Sequence, residues 1–552
     1  GTTIGIMDTG VDYTHPDLGG CFGPECKVIG GYDFVNNDDD PMDDQGHGTH
    51  VAATAAGKGI LDGVAPDANI VAYKVLDSFG GGNNDDIIAA IERSVDPNQD
   101  GNFDDHLDII SLSLGGFGNP DDPQSIAIDN AVDSGGVAVI AAGNDGPNPG
   151  TIGSPGTAKK AITVGATYKK DYDGTFWPEK NGGDINPKKN QITVFSSRGP
   201  VVWDENTIIK PDIVAPGAFI CAARFDSIYP EGEHPYYKPC LDEEHVLLAG
   251  TSMATPIVSG AVALLKQKNP DWSPLEIKMA LRNTALDINE PTIFQGYGRL
   301  DILRAIQVDN KPPLAILGTL ESLEEIIDIS GTATGENFVK YTLDYGFGLD
   351  PGEWNNIVSS TSSVTSGLLY SGFDTSLLSE GDNIIRLVVE VSDGQLSEDR
   401  NIVIVNNVKL TQPLEGDITG NLIEIVGTTK GNGFRDYVLE YGEGENPSEW
   451  SVEGVSLIND GKNAITNGLL GTFDASSLDE SGYYAIRLTV NYENRQEQEY
   501  IRNIYFDSDL MRGWPIKFQN VVSYYNSPTV ADVNNDGNFE IIFGSDNKGE
   551  SF

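Results

Sequence analysis

The feature that most constrains this chain is a rhythm of short β-branched runs and helical patterns across residues 1–309. Residues 4–7, 70–76, 109–114 and 137–142 are short, mainly apolar, β-branched runs bounded by Gly or Asp. Runs of this composition predict buried strands. Between them, residues 49–57, 85–95 and 125–134 repeat apolar positions at helical spacing. Strand–helix–strand alternation of this kind predicts an α/β fold, a parallel sheet with helices on both faces. The rhythm stops near Lys311-Pro312-Pro313, which reads as a linker.

An internal repeat follows. Tyr341-Thr-Leu-Asp-Tyr345-Gly with Trp354 recurs as Tyr437-Val-Leu-Glu-Tyr441-Gly with Trp450, and Ile385-Arg386-Leu387 recurs as Ile486-Arg487-Leu488. Period-2 alternation and regular turn spacing predict two all-β sandwich modules. The expected division is 1–309, 310–408, 409–507 and a final segment 508–552. Neither repeat carries His, Cys or a compact acid–base cluster, so both read as spacer or binding modules. The last segment resembles the first blade of an FG-GAP or VCBS-type calcium-binding propeller.

A length of 552 residues exceeds what one core supports and fits several domains. The formal charge of −48 is spread over both parts of the chain. Such a surface repels phosphate backbones, which argues against a nucleic-acid partner and suits hard cations. No apolar run reaches the roughly 18 residues of a membrane-spanning helix. The chain opens directly on a buried-strand pattern, so a signal and the chain's own pro-segment are expected outside this sequence. The four cysteines, Cys21, Cys26, Cys221 and Cys240, permit three pairings. The two local pairings, each across a turn-rich loop, are expected, with free thiols or a zinc site as alternatives. Disulfides place the chain in an oxidising, extracellular or cell-surface setting.

Three patterns in the first part need one explanation. An Asp ends the first strand in Ile6-Met7-Asp8-Thr9-Gly10. A His opens a helix in Gly46-His47-Gly48-Thr49-His50-Val51. A Ser begins another in Gly250-Thr251-Ser252-Met253-Ala254. Singly these are a turn residue, a solvent-facing His and an N-cap. Together they offer a nucleophile, a base and an orienting carboxylate. A serine hydroxyl needs an imidazole to take its proton, and the imidazole needs a carboxylate to fix its tautomer.

With Ala141-Ala-Gly-Asn144-Asp-Gly-Pro, Phe195-Ser-Ser-Arg-Gly-Pro200 and Lys210-Pro-Asp-Ile-Val-Ala-Pro-Gly217, residues 1–309 closely resemble the subtilisin-like serine proteases, or subtilases. That resemblance implies the subtilisin-like parallel sheet. It makes Asp8 the orienting carboxylate, His47 the base and Ser252 the nucleophile of an acyl-enzyme, with His50 the rival base. Asn144 would donate its amide to the oxyanion. Gly80, Gly81 and Gly82 on one side, and Ser113, Leu114, Gly115 and Gly116 on the other, resemble the edges of the family's cleft. There a protein or peptide substrate would lie as an added strand. The specificity pocket would have Ser154-Pro155-Gly156 at its base.

Two loops resemble structural calcium sites. Asp96, Asn98, Asp100, Asn102 and Asp104 form one; Asp532, Asn534, Asp536, Asn538 and Glu540 repeat the spacing. Solvated Asp/Asn turns are the alternative. Asp38–Asp40 with Asp43 and Asp44 form a third acidic cluster, read as a weak cation site or a solvated loop. Asp17, which the resemblance would make a calcium ligand, is not assigned because the loop 57–63 looks short for such a site. The expected function is a secreted serine endopeptidase. Alternatives are a surface scaffold with a decayed protease domain, and a proprotein processor selecting basic residues.

Overall fold

The computed structural model describes residues 1–172, 187–203, 206–225, 238–320, 326–431, 433–478, 480–493, 498–510, 529–531 and 540–542. Two compact units emerge, residues 1–405 and 406–552.

In the first unit a seven-stranded sheet is built from β1 (Thr3–Asp8), β2 (Val28–Asp33), β3 (Asn69–Lys74), β4 (Ile109–Leu112), β5 (Val137–Ala141), β6 (Ile162–Tyr168) and β9 (Ile213–Ala218). Their order is β2-β3-β1-β4-β5-β6-β9, and every pairing is parallel. The four strands and three helices expected from sequence all form. The helices are α1 (His47–Ala56), α2 (Asn84–Val95) and α3 (Pro123–Asp133). Because successive strand residues face opposite ways, Ile4 and Ile6 join one core while Met7 joins the other. The first core also holds residues of α1, α4 (Thr251–Lys268) and α5 (Pro274–Thr284); the second holds residues of α2 and α3. This is the subtilisin-like α/β arrangement.

A hairpin of β7 (Val201–Trp203) and β8 (Asn206–Ile208) lies outside this sheet. So does a small antiparallel sheet, β10 (Ile220–Ala223), β12 (His245–Leu248) and β11 (Lys238–Pro239). Both local cysteine pairs are joined, Cys21 to Cys26 and Cys221 to Cys240.

The same unit continues into two antiparallel sheets. One is β13 (Leu314–Leu317), β14 (Ile326–Thr334) and β17 (Val364–Asp374). The other is β16 (Asn355–Ser360), β15 (Phe338–Phe347), β18 (Gly381–Val391) and β19 (Leu396–Val405). Both contribute to one apolar core that includes Ile329, Leu343, Phe373 and Leu387. The second unit repeats the plan around Leu410, Leu439, Phe473 and Leu488. Its sheets are β20 (Val408–Gln412), β22 (Leu422–Thr429), β25 (Ile465–Asp474) and β24 (Val455–Leu457), and β21 (Asp417–Thr419), β27 (Gln498–Phe506), β26 (Gly482–Tyr492) and β23 (Phe434–Glu443). Repeated residues repeat their contacts. Tyr341 Oη donates to Leu369 O and Tyr437 Oη to Leu470 O. Arg386 lies over Trp354 as Arg487 lies over Trp450. β28 (Thr529–Ala531) and β29 (Glu540–Ile542) pair antiparallel.

Candidate active site

Asp8 is the last residue of β1, where the chain's excursions to β3 on one side and β4 on the other diverge. In open parallel sheets, the carboxyl ends of the strands at such a point form a ready crevice. A cleft of about 660 Å³ opens there.

The Asp8 side chain is fully buried, and its Oδ1 accepts from Thr9 N at 2.8 Å and meets His47 Nδ1 at 2.7 Å. Asp8 Oδ2 is buried with no hydrogen-bond partner. His47 is the first residue of α1, and its side chain keeps 26% exposure, so the outer edge of the imidazole faces the cleft. Burial pushes its pKa down; the charge and hydrogen bond of Asp8, with Asp43 behind, outweigh that and hold it above the ordinary value. His50, one turn on, is wholly buried. Its Nε2 reaches the carbonyls of Ile220 and Val246, and burial pushes it down to about 3. The rival base is thereby removed from the chemistry.

α1 approaches β1 very closely. A Cβ at Gly48 would sit 2.1 Å from Gly10 O and 3.0 Å from the Asp8 Cβ. Asp43 fixes the turn before the helix: Oδ1 accepts from Thr9 Oγ1, Gln45 N and Gly46 N, each at 2.9 Å, and Oδ2 accepts from Thr49 N at 3.0 Å. Its neighbour Asp44 pairs with buried Lys74 at 2.7 Å, and Asp40 accepts from Tyr13 Oη. Of the third acidic cluster, Asp43 is thus engaged by the helix start, Asp44 by Lys74 and Asp40 by Tyr13. The signal for Asp43 was an acidic residue just ahead of a helix start.

Ser252 stands in the first turn of α4 and lines the same cleft as His47. Its Oγ donates to Ser113 O at 3.1 Å, while Ser113 Oγ donates back to Ser252 O at 2.9 Å. Asn144 Oδ1 accepts from Thr251 N at 2.9 Å and Thr251 Oγ1 at 3.2 Å. Those donors fix the orientation of the amide and leave its NH2 group for the cleft. The backbone N–H of Ser252, in the first turn of α4, has no carbonyl one turn earlier in the helix to donate to.

Gly80 and Gly82 line one side of the cleft, and Ser113, Leu114, Gly115 and Gly116 the other. Gly81 lies between the first two with its carbonyl accepting from Asp77 N at 2.7 Å. Ser154 lines the cleft as well, and it exchanges two backbone hydrogen bonds of 2.9 Å with Gly116.

The 96–104 loop closes on itself. Asp96 accepts from Asp100 N and Gly101 N, Asn98 from Asp100 N, Asp100 from Asn102 N, and Asp104 from Asn102 Nδ2. As placed, these oxygens serve the loop's own donors. Among the described residues no three His, Cys, Asp or Glu side chains are grouped to hold a metal. Asp532, Asn534, Asp536 and Asn538 lie outside the described residues, and only the backbone of Glu540, opening β29, falls within them.

Sequence reasoning missed one cluster. His245 Nε2 meets Asp17 Oδ2 at 2.8 Å and Nδ1 meets Asp242 Oδ1 at 2.5 Å, with His245 and Asp17 buried. Asp17 also accepts from Ile60 N at 2.7 Å and Leu61 N at 3.2 Å. Its carboxylate is satisfied by an imidazole and two amides. The partners are 228 residues apart, and no local pattern announces them.

Residues 1–299 match the model of the subtilase family. "Serine protease AprX" of Bacillus subtilis (strain 168) is 39% identical over 293 residues, covering 51% of this chain and 61% of that protein. "Minor extracellular protease Vpr" of the same organism is 32% identical over 486 residues, covering 63% and 57%. "Subtilisin E", also from that strain, is 33% identical over 311 residues, covering 55% and 65%. The chain spans about three-fifths of the length of these curated relatives. With the family model matched over more than half of this chain, and His47, Asn144 and Ser252 lining one cleft, the chain belongs to the subtilase family.

Proposed function

We propose that this chain is a secreted serine endopeptidase working through Asp8, His47 and Ser252. The observation that carries the reading is the 2.7 Å contact of buried Asp8 with His47, which lines a cleft together with Ser252 and Asn144. With Nδ1 engaged by Asp8, Nε2 of His47 takes the proton as Ser252 Oγ attacks the scissile carbonyl. The oxyanion that forms is met by the Asn144 amide and the Ser252 N–H. Collapse expels the amine, which leaves with the proton from His47, and an acyl-enzyme remains on Ser252. Water, deprotonated by His47, then releases the acid by the same path. Substrate lies extended between Gly80–Gly82 and Ser113–Gly116, pairing through backbone groups.

Asp122 and Asp145 on the cleft wall favour basic residues in the substrate, and a peptide-library profile without Arg or Lys preference removes that refinement. Secretion accords with the two disulfides and with the extracellular location that Vpr's name carries. Among the described residues no helix is long and apolar enough to cross a membrane. The repeats, taken as 310–408 and 409–507, serve for spacing, surface attachment or substrate docking. Calcium is proposed at 96–104 on oxygen spacing alone, with Asp96, Asn98, Asp100 and Asp104 turning from loop amides to the ion. The test of the main reading is proteolysis of an unfolded protein substrate by the wild type and by Ser252→Ala. New peptide termini with the first and none with the second support it; equal cleavage by both refutes it.

A further inference from the structure

Where residues 1–309 meet the first β module, five charged side chains come together. Lys210, Asp212, Lys278 and Arg282 are all buried. Asp212 Oδ2 accepts from Lys210 Nζ at 2.7 Å, and its Oδ1 lies 2.8 Å from Lys278 Nζ. Burial pushes the Asp212 carboxyl up, but the three cations around it hold it well below the usual carboxylate range. Burial pushes Lys278 down to about 8. Arg282 takes its direct partner from the module. Its Nη2 donates to Asp399 Oδ1 on β19 at 2.7 Å and to Glu398 O at 3.0 Å, and the guanidinium lies 3.5 Å from the centre of the Tyr297 ring. Tyr297 Oη also donates to Asp399 Oδ1, at 3.0 Å, and Leu317 N to Asp399 Oδ2 at 2.7 Å. Within this cluster, three cations face two carboxylates; without Asp399 they would face one.

The cluster reaches the substrate cleft. Asp212 Oδ2 accepts from Thr163 N at 2.9 Å, and Thr163 Oγ1 donates to Gly156 O at 2.6 Å, two residues past the cleft-lining Ser154. A second route runs through packing. Ile293 is buried against Ile384 and Ile402 of the module, and its carbonyl accepts from Gly199 N at 2.9 Å. Gly199 O then accepts from Gly150 N, and Arg198 O from Thr151 N. Both routes end on the 150–156 segment, whose Gly153 and Ser154 line the cleft.

We infer that the first β module is a built-in buttress of the catalytic unit, in which Asp399 is a positioning residue for the substrate pocket. Its charge neutralises Arg282 and so leaves Asp212 free to hold Thr163 and, through it, Gly156. With Asp399 neutral, Arg282 competes with Lys210 and Lys278 for Asp212, and the wall behind Ser154 loses its tie. This rests on the peptidase reading above, and it replaces a passive spacer with a module that shapes substrate binding.

The test uses the full chain and three variants: Asp399→Asn, Asp399→Glu, and the double variant Arg282→Met/Asp399→Leu. Substrates are peptides graded in the size of the residue ahead of the scissile bond, with a small peptide-free fluorophosphonate as a probe of the triad. For Asp399→Asn, KM for the bulkiest substrates rises about tenfold, while kcat and the labelling rate hold. Asp399→Glu recovers KM. The double variant, which removes both charges, melts above Asp399→Asn because a buried ion pair is replaceable by apolar side chains. If Asp399→Asn does not fold, recovery of folding in the double variant supports the charge balance. Wild-type KM in Asp399→Asn, or a double variant no more stable than the single, overturns the inference. A wild type that neither cleaves nor labels defeats the peptidase reading instead, and the melting comparison still decides the charge balance.

Discussion

Gly48→Ala is a minimal change that should separate His47, the proposed base, from the Asp8 carboxylate. The added Cβ would lie 2.1 Å from Gly10 O, against about 3.3 Å for the closest ordinary carbon–oxygen approach. Either α1 or the β1–Gly10 turn must therefore move by roughly 1.2 Å. Both are rigid: Gly48 N accepts no slack because it donates to Thr9 Oγ1 at 2.9 Å, and Thr9 is tied to buried Asp43. The displacement falls on the 2.7 Å Asp8–His47 contact, whose residues lie one position before Gly48 and two before Gly10. A misplacement of about 1 Å in a reacting constellation costs about 10²-fold in rate. Overpacking should add about 1–3 kcal/mol of destabilisation. The assay is kcat/KM on a peptide substrate beside a urea melt. A variant that keeps wild-type kcat/KM and stability would refute the argument that this close approach sets the geometry.

Other outcomes follow from the same groups. His47 works as a base only when neutral, and its pKa is raised, so kcat/KM should fall as pH drops through a midpoint above 6.5; a midpoint below 6.5 contradicts the coupling to Asp8. The His245 pKa is also raised: burial pulls it down, and its bonds to Asp242 and Asp17 more than offset that. Its stabilisation is then complete below about 6.5 and is lost as pH rises through the folded value. His245→Gln should cost about 3–5 kcal/mol at pH 6, with a smaller cost in alkaline buffer; a pH-independent difference in melts would count against the ionised cluster. Calcium chelation should lower Tm in the wild type and leave Asp96→Asn/Asp100→Asn unaffected, and an unchanged wild-type melt would remove the cation from 96–104.

The sheet and the residues proposed for the triad were legible because both impose local residue types. Buried parallel strands are dominated by apolar, β-branched residues, and a serine nucleophile needs one His and one Asp. Even the choice of His47 over His50 follows from the family motif, and the burial of His50 gives its physical reason. What could not be read was pairing at a distance. Asp399 lies in Glu398-Asp399-Arg400, which reads as a solvated strand, yet it meets Arg282 from 117 residues away. His245 looks like a loop histidine until β12 brings it to Asp17. Asp43 and Asp44 were read as one acidic cluster, but backbone amides claim the first and Lys74 the second.

The most direct measurement is mass-spectrometric mapping of a fluorophosphonate adduct on the full chain. A nucleophilic Ser252, activated by His47 and Asp8, predicts one adduct on Ser252 that forms far more slowly in His47→Ala. Folded protein that stays unlabelled, or carries the adduct on another serine, would contradict the account.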